Sequence, residues 1–333
     1  MSIITKTFKT IGKLNAAADI LSYGTYVVNA KFVEQRSVTS KMLEDFLLKN
    51  YPKYKFFPGQ IKANQKEYQK NLKKGDKPYR INEKIAQTLN ITQHNNLLYF
   101  NNEGSQTMLY LYGNSFWNEI SIFQLHFIST LAKTLDMRII VPIQGIAPFK
   151  EYYNVYYDIL SVLAYQELNI DYLGADGSGA IYIYNLLNDG ALEDSHMLKN
   201  IKKILLFSPM CNLELDDSII NKEDPIIDPY SISRQIRYFF KNNTEEIKKH
   251  NPFNFRMENL PDTLIIAATK DSLYKDQAAF YHRFKHTNNP VKLWTFNHMI
   301  HCFNFYPLVE TQELLRDIKN YVLLDKDREK EDE

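Results

Sequence analysis

Short apolar runs alternate with stretches of helical periodicity over most of this sequence, and this alternation most constrains the fold. In the segment 120–135, for example, Leu125, Ile128 and Leu131 recur on one helical face. Strands that alternate with helices in this way predict an α/β protein with a mostly parallel central sheet and helices on both faces. A polar turn separates the first two predicted strands, which indicates an antiparallel entry to the sheet. The predicted strands lie at 86–92, 96–100, 107–112, 137–142, 171–175, 203–208, 263–268 and 291–296.

The same patterns divide the chain into regions. Residues 1–85 are rich in Lys, Tyr and Asn and carry no strong strand pattern, so they are predicted to form an N-terminal helical cap or extension. The α/β domain is predicted to span 86–325, with a polar and helical excursion at 212–258 as a cap insertion. The charged segment 326–333 is predicted to be a disordered tail. With 333 residues and 44% hydrophobic content, the chain can bury a core of this size.

Charge balance and cysteine content narrow the expected partners. Lys and Arg total 40 against 39 for Asp and Glu, so the basic excess of a nucleic-acid-binding protein is missing. No segment reaches the roughly 18 apolar residues of a membrane span, and a cytoplasmic location is expected. Cys211 and Cys302 are too few for a disulfide framework and lack zinc-ligand spacing, so neither a cofactor nor a metal is predicted.

The candidate catalytic residues lie in four loops, each of which follows a predicted strand. Because the carboxyl ends of parallel strands meet at one edge of a sheet, we expect these loops to lie together. In the first loop, Gly113 and its small polar neighbours would let backbone N–H groups turn toward a developing oxyanion, although these residues taken alone favour a plain turn. The loops lie at 112–116, 174–180, 270–276 and 297–303.

The second loop has the spacing of a nucleophile elbow, in which small residues lie two positions before and two after the apex. An apex at Gly177 places Ala175 and Gly179 at those positions, whereas an apex at Ser178 places Asp176 at one of them. Since Asp176 is not small, the spacing favours Gly177 as the apex. A glycine-rich phosphate loop is the alternative, but the Lys-Ser/Thr pair that it needs is missing.

The third and fourth loops supply a candidate acid and a candidate base. Asp271 follows the strand 263–268, where it would orient a histidine or else cap the next helix. His301 follows the last strand, which gives the chain order nucleophile, acid, base. His298 and His301 also suggest a metal pair, but no third ligand is indicated.

Together these segments resemble the hormone-sensitive-lipase-like branch of the α/β-hydrolase fold, which contains carboxylesterases and acetyl-hydrolases. The resemblance covers about 98–322. Segment 109–113 stands where the family has a strand ending in His-Gly-Gly, and 141–148 is similar to its Pro-x-Tyr-x-x-Ala-Pro segment. Segment 206–209 is similar to its Ile-Ser-Pro strand end, Asp271 stands at its triad aspartate, and 299–303 at its His-x-Phe motif.

The departures from the family pattern concern the nucleophile. The family elbow Gly-Asp-Ser-Ala-Gly-Gly aligns with 175–180, which places Gly177 at the catalytic serine and Ser178 one position later. In the oxyanion loop, Tyr112 replaces the histidine, and Asn114 and Ser115 replace glycines. The resemblance implies an oxyanion hole made by the backbone N–H groups of Gly113, Asn114 and Ser178. It also implies that Asp271 is the acid and His301 is the base, although no obvious nucleophile accompanies them.

Several functions stay open at this point. The resemblance implies a carboxylic-ester hydrolase whose ligand is a small acyl ester or another apolar small molecule. Since glycine cannot be acylated, the chain is predicted to be inactive or weakly active. Alternatives are an active esterase that uses the displaced Ser178 with Asp271 and His301, an active enzyme in which a serine at 177 was replaced, and a non-catalytic binding or scaffolding protein. The sequence does not indicate an oligomeric state.

Overall fold

The computed structural model describes most of the α/β domain and part of the N-terminal region. The described residues are 29–50, 69–70, 73–75, 79–116, 118–146, 149–165, 169–188, 201–215, 224–227, 229–255, 260–285, 287 and 289–331. Most of the N-terminal extension predicted at 1–85 therefore lies outside the described residues, and the predicted cap insertion at 212–258 is described only in part.

Strands and helices alternate along the described chain. The strands are β1 (Ile91–His94), β2 (Leu97–Phe100), β3 (Gln106–Leu111), β4 (Met137–Pro142), β5 (Tyr172–Asp176), β6 (Lys203–Phe207), β7 (Asp262–Ala268) and β8 (Val291–Phe296). The helices are α1 (Val38–Asn50), α2 (Glu83–Leu89), α3 (Ile122–Leu135), α4 (Tyr152–Tyr165), α5 (Ala180–Asn188), α6 (Pro229–Phe239), α7 (Thr244–Lys249), α8 (Tyr274–Lys285) and α9 (Val309–Glu331).

These strands form one eight-stranded sheet in the order β1-β2-β4-β3-β5-β6-β7-β8. β1 and β2 pair antiparallel, β2 pairs antiparallel with β4, and the remaining pairs are parallel. The predicted α/β architecture with a mostly parallel sheet and an antiparallel entry is confirmed. The parallel strands β3 to β8 bring their carboxyl ends to one edge, where the predicted loops lie.

Alternate residues of the strands feed two hydrophobic cores on opposite faces of the sheet. In β3, Met108 and Tyr110 belong to one core, whereas Leu109 and Leu111 belong to the other. α3 and α9 pack into the first core, and α4, α5 and α8 into the second. Because both faces are covered, the central strands are buried along their whole length, as β5 and β6 are.

The strand predicted at 86–92 is wrong over its first part. Residues Glu83–Leu89 form α2, and the strand begins only at Ile91. The Asn82 side chain accepts hydrogen bonds from the backbone N–H groups of Lys84 and Ile85, which caps the helix. The helix ends at Asn90, which has a left-handed φ of 55°. The predicted boundary between residues 85 and 86 therefore falls inside a helix.

The last helix extends into the predicted tail. α9 continues to Glu331. It includes most of the segment 326–333 that was predicted to be a disordered tail. The segment contains no Pro or Gly and is rich in Lys, Glu and Arg, which favour helix, so nothing in its sequence stops the helix.

The described part of the N-terminal region contacts the loops beyond β7 and β8. The Arg36 guanidinium donates a hydrogen bond to the His298 carbonyl oxygen at 2.9 Å. Lys270, which follows β7, forms an ion pair with Glu44 in α1 at 2.6 Å. The same Glu44 also pairs with Arg36 at 2.5 Å. This charged cluster fixes α1 beside the edge of the sheet that carries the candidate site.

In the part of the chain that the structure describes, no helix has both the length and the apolar character needed to cross a bilayer. The cytoplasmic location stays a prediction.

Candidate active site

A sharp bend connects β5 to α5, as the spacing of small residues predicts. The bend is a short 3₁₀ turn over Gly177–Gly179, and Gly177 has a φ of +46°. That backbone conformation is unfavourable for residues with a side chain and is typical of a strained elbow. The Gly177 carbonyl oxygen accepts a hydrogen bond from Met210 N at 2.9 Å, which ties the bend to the loop after β6.

Asp271 and His301 lie in hydrogen-bond contact across the neighbouring strand ends. His301 Nδ1 is 2.9 Å from Asp271 Oδ2. Asp271 also accepts hydrogen bonds from Leu273 N at 2.8 Å and from Gln277 Nε2 at 3.1 Å. These donors hold the buried carboxylate in place, so it presents an acceptor to the imidazole and orients the ring.

The other ring nitrogen of His301 faces the apex of the bend. A Cβ atom built on Gly177 would lie 3.7 Å from His301 Nε2 and 3.7 Å from Gly113 Cα, which are ordinary contact distances. The space for a side chain between apex and base is therefore present. Nε2 instead has a sulfur neighbour, because Cys302 Sγ lies 3.3 Å away.

Ser178 is engaged away from the base. Its Oγ accepts hydrogen bonds from Asn114 N and Ser115 N, both at 3.1 Å. These bonds tie its hydroxyl to the loop after β3. The hydroxyl oxygen thus takes two N–H donors of the loop that the sequence predicts to bind an oxyanion.

Two of the three backbone N–H groups proposed for an oxyanion hole already have partners within the protein. Gly113 N donates to Asp176 Oδ1 at 2.8 Å, and Asn114 N donates to Ser178 Oγ. An oxyanion needs donors that are free to point at it. With these partners in place, the loop is filled by the chain's own side chains.

Asp176 is the centre of a buried network below the bend. Besides the Gly113 amide, it accepts hydrogen bonds from Tyr110 Oη at 2.9 Å and from Gln124 Nε2 at 3.0 Å. Gln124 also donates to the Gly113 carbonyl oxygen at 2.6 Å, so α3 holds the loop and the bend together. Burial raises the pKa of Asp176 to about 7, even though these hydrogen bonds favour the ionised form.

This raised pKa predicts how stability depends on pH. Between about pH 4 and pH 7 the unfolded chain loses the Asp176 proton while the folded chain keeps it, so this carboxyl lowers the free energy of unfolding as pH rises. Asp176→Asn removes the titration. We expect the stability of the variant relative to the parent to increase by roughly 2–3 kcal/mol from pH 5 to pH 8, measured by urea unfolding. A difference that is independent of pH would contradict this assignment.

A cavity of about 330 Å³ opens over these groups. Its polar end contains Gly177, Ser178, His301 and Cys302. Its apolar side includes Met210, Leu273 and three isoleucines of the predicted cap insertion, namely Ile226, Ile227 and Ile232. A cavity of this size and lining accommodates a small, partly apolar molecule.

Among the described residues, no group of three or more His, Cys, Asp or Glu side chains is arranged to hold a metal ion. His298 is not among the residues that line the cavity. Its backbone N–H donates to Thr269 Oγ1 at 2.8 Å, and its carbonyl oxygen accepts a hydrogen bond from Arg36.

Sequence reasoning missed two ionisable groups of the site. Cys302 had no assigned part, although it directly follows His301. Asp224 belongs to the polar excursion and does not lie in a loop directly after a predicted strand. Its carboxylate accepts hydrogen bonds from Ser272 N at 2.7 Å and from Ile226 N at 2.7 Å. Burial, together with the nearby charge of Asp271, raises the pKa of Asp224 to about 6.

The fold agrees with the comparison with known families. The sequence profile of the α/β hydrolase fold family matches residues 108–305, more than half of the chain. The chain therefore belongs to the α/β hydrolase fold family. No curated protein sequence matches it significantly.

Solved structures of esterases share the fold at low sequence identity. A protein from Staphylococcus aureus assigned as an esterase superposes with a TM-score of 0.69 at 15% identity, covering 82% of this chain and 98% of that one. An esterase of the bacterial hormone-sensitive lipase family gives 0.59 at 16% identity, over 74% and 92%. EstE1, a thermostable carboxylesterase from a metagenomic library, gives 0.59 at 19% identity, over 68% and 83%. At these identities the likeness concerns the fold.

Proposed function

We propose that this chain binds a small acyl ester, or another apolar small molecule, in the cavity above Gly177 and hydrolyses it weakly or not at all. The observation that carries the proposal is the position of His301. Its Nε2 lies 3.7 Å from where a Cβ at residue 177 would be, yet residue 177 has no side chain. The acid–base pair of Asp271 and His301 is in place, but residue 177 supplies no hydroxyl for it to activate.

The geometry gives a physical reason for low activity. In a serine hydrolase, the base takes the proton of a hydroxyl that attacks the acyl carbon, and the oxyanion hole stabilises the charge that forms. Here the attacking hydroxyl is missing, and the N–H donors of the oxyanion loop already donate to Ser178 Oγ and Asp176 Oδ1. When one triad member is removed, only about 10³–10⁴-fold acceleration over water typically remains. The filled oxyanion loop favours binding over turnover.

The proposed ligand class follows from the cavity and the family. The matching family and the esterase names of the structural neighbours support a small ester. The isoleucines of the 212–258 excursion provide apolar contact for an acyl or alcohol group. The polar end around His301 would then receive the carbonyl group.

An esterase that uses Ser178 is the competing function, and the hydrogen bonds weigh against it. Ser178 Oγ accepts from two backbone amides of the 114–115 loop, and His301 Nε2 contacts Cys302 instead. To react, Ser178 would have to leave both amides and reach the imidazole. A displacement of about 1 Å from productive geometry already costs roughly 10²-fold in rate.

The Ser178→Ala variant tests this choice. We expect its hydrolysis of short-chain p-nitrophenyl esters to be no slower than that of the parent, because the hydroxyl takes no part in attack. The measurement is the initial rate of p-nitrophenol release, with thermal unfolding to verify that the fold is kept. Parent activity that disappears in Ser178→Ala would establish the displaced serine as nucleophile and overturn the proposal.

A further inference from the structure

Cys302 occupies a position that the proposed function leaves unused. It follows His301 with a left-handed φ of 48°, which is uncommon for a residue with a side chain. Its backbone N–H donates to Ser208 Oγ at 3.0 Å, which anchors this conformation. The conformation places its thiol 3.3 Å from His301 Nε2, and both residues line the cavity.

The hydrogen bonds define the direction of proton transfer. Asp271 accepts from Leu273 N and Gln277 Nε2 and acts as an acceptor toward the imidazole as well, so the proton of a neutral His301 lies on Nδ1. Nε2 then carries the lone pair. The adjacent Sγ–H is positioned to donate to it. Thiol, imidazole and carboxylate thus form a continuous chain from the cavity into the core.

The ionisable groups that face His301 determine the pH at which its Nε2 accepts the thiol proton. Among the described residues they are the carboxyl groups of Asp271, Asp176 and Asp224 and the thiol of Cys302. Burial acts to lower the pKa of His301, but Asp271 and Cys302 outweigh it and hold the pKa well above its ordinary value. Burial also raises the pKa of Cys302 to about 11, against the opposing effect of His301. Because the pKa of His301 is raised, the imidazole keeps its proton to higher pH than an ordinary histidine, and Nε2 becomes available as a base as the pH increases.

We propose that the Cys302 thiol is a nucleophile that becomes acylated by a small ester held in the cavity, with His301 as its base. The ligand class rests on the proposed function. In the first step Sγ bonds to the carbonyl carbon, the π electrons of the C=O bond move to its oxygen, and the Sγ–H proton moves to Nε2. In the second step the C=O bond re-forms, the bond from that carbon to the alcohol oxygen breaks, and the leaving oxygen takes the proton from Nε2. The products are a thioester on Cys302 and the free alcohol.

The chain contains its own control thiol. Cys211 is buried like Cys302, but its Sγ contacts Tyr184 Oη at 3.5 Å and the Pro209 carbonyl oxygen at 3.7 Å. It lies outside the set of residues that line the cavity. Burial raises the pKa of both thiols, and only for Cys302 does His301 oppose that increase. Differences between the two thiols therefore report on the base and the cavity.

The test treats the full chain with p-nitrophenyl acetate at mildly alkaline pH. Released p-nitrophenol and intact mass are followed together, and peptide mapping locates the acetyl group. We expect a burst of one equivalent, with the acetyl group on Cys302 and at least ~10-fold faster than on Cys211. Cys211→Ala keeps the burst, Cys302→Ala loses it, and His301→Gln slows it by roughly 10²-fold because general-base catalysis is lost.

A second measurement needs no variant. Limited iodoacetamide labelling of the parent compares both thiols in one folded molecule, and Cys302 is expected to be alkylated at least ~10-fold faster than Cys211. Equal labelling of the two thiols, or a burst that persists in Cys302→Ala, would overturn the proposal. An acetyl group on Ser178 would overturn both this proposal and the proposed function. No acetyl group on Cys302 or Ser178 would overturn the thiol proposal alone.

Discussion

Gly177→Ser combined with Ser178→Ala is expected to convert this chain into an active esterase. We expect kcat/KM for short-chain p-nitrophenyl esters to rise by about 10²- to 10³-fold over the parent. The single variant Gly177→Ser should gain less, because Ser178 Oγ still takes the amides of Asn114 and Ser115. The double variant recreates the Asp-Ser-Ala-Gly order of the family elbow.

Two features of the structure carry this expectation. A Cβ at residue 177 meets only ordinary contacts at 3.7 Å, and one further bond brings its hydroxyl within hydrogen-bond range of His301 Nε2. Removing the Ser178 hydroxyl frees N–H donors of the oxyanion loop, and such donors are each worth about 10²–10³-fold in kcat. The cost is the positive φ at residue 177, about 1–2 kcal/mol for a residue with a side chain.

The matched control is Gly177→Ala with Ser178→Ala, which carries the same backbone cost and lacks only the hydroxyl oxygen. Adding His301→Gln to the active pair should remove the gain, since the base is then absent. Equal rates for the serine variant and its alanine control would show that the site is not assembled for attack from residue 177.

Gly179→Ala is expected to destabilise the fold more than any other substitution in the bend. A Cβ at residue 179 would lie 2.0 Å from the Leu111 carbonyl oxygen and 2.6 Å from its carbonyl carbon. These are backbone atoms of β3, so either the strand or α5 must move. We expect the free energy of unfolding to fall by about 3 kcal/mol or more, measured by urea denaturation.

Gly177→Ala is the control for this prediction, because it changes the same turn two residues away. There the added Cβ has room, and the cost is that of a left-handed alanine, about 1–2 kcal/mol. Gly179→Ala should therefore unfold at clearly lower urea concentration than Gly177→Ala. The reverse order would mean that β3 and α5 do not approach as closely as the structure shows.

The sheet could be predicted from the sequence because its central strands are buried on both faces. β4 lies at the predicted bounds and is buried except at Arg138. β8 also lies at its predicted bounds, although it is an edge strand in which Lys292 and Thr295 interrupt the apolar residues. The error at 86–92 has a local cause. The apolar residues there fit a strand as well as a short helix, and the outcome depended on the cap that Asn82 provides.

The site could be predicted only as far as strand ends and elbow spacing specify it. Asp271, His301 and the bend at Gly177 each follow a strand, so the parallel sheet brings them to one edge. The hydrogen bonds of Ser178 and the thiol contact of Cys302 depend on local φ values and side-chain rotamers, which no periodicity encodes. Asp224 depends on how the 212–258 excursion folds back, which is a long-range contact.

The most direct test of the proposal that this site lacks a serine nucleophile is covalent labelling by a fluorophosphonate, which reacts with a serine hydroxyl that an adjacent base activates. After incubation, intact mass and peptide mapping give the labelled position. No labelled serine is expected in the parent, and a label at residue 177 is expected in Gly177→Ser combined with Ser178→Ala. A label on Ser178 of the parent would contradict the account.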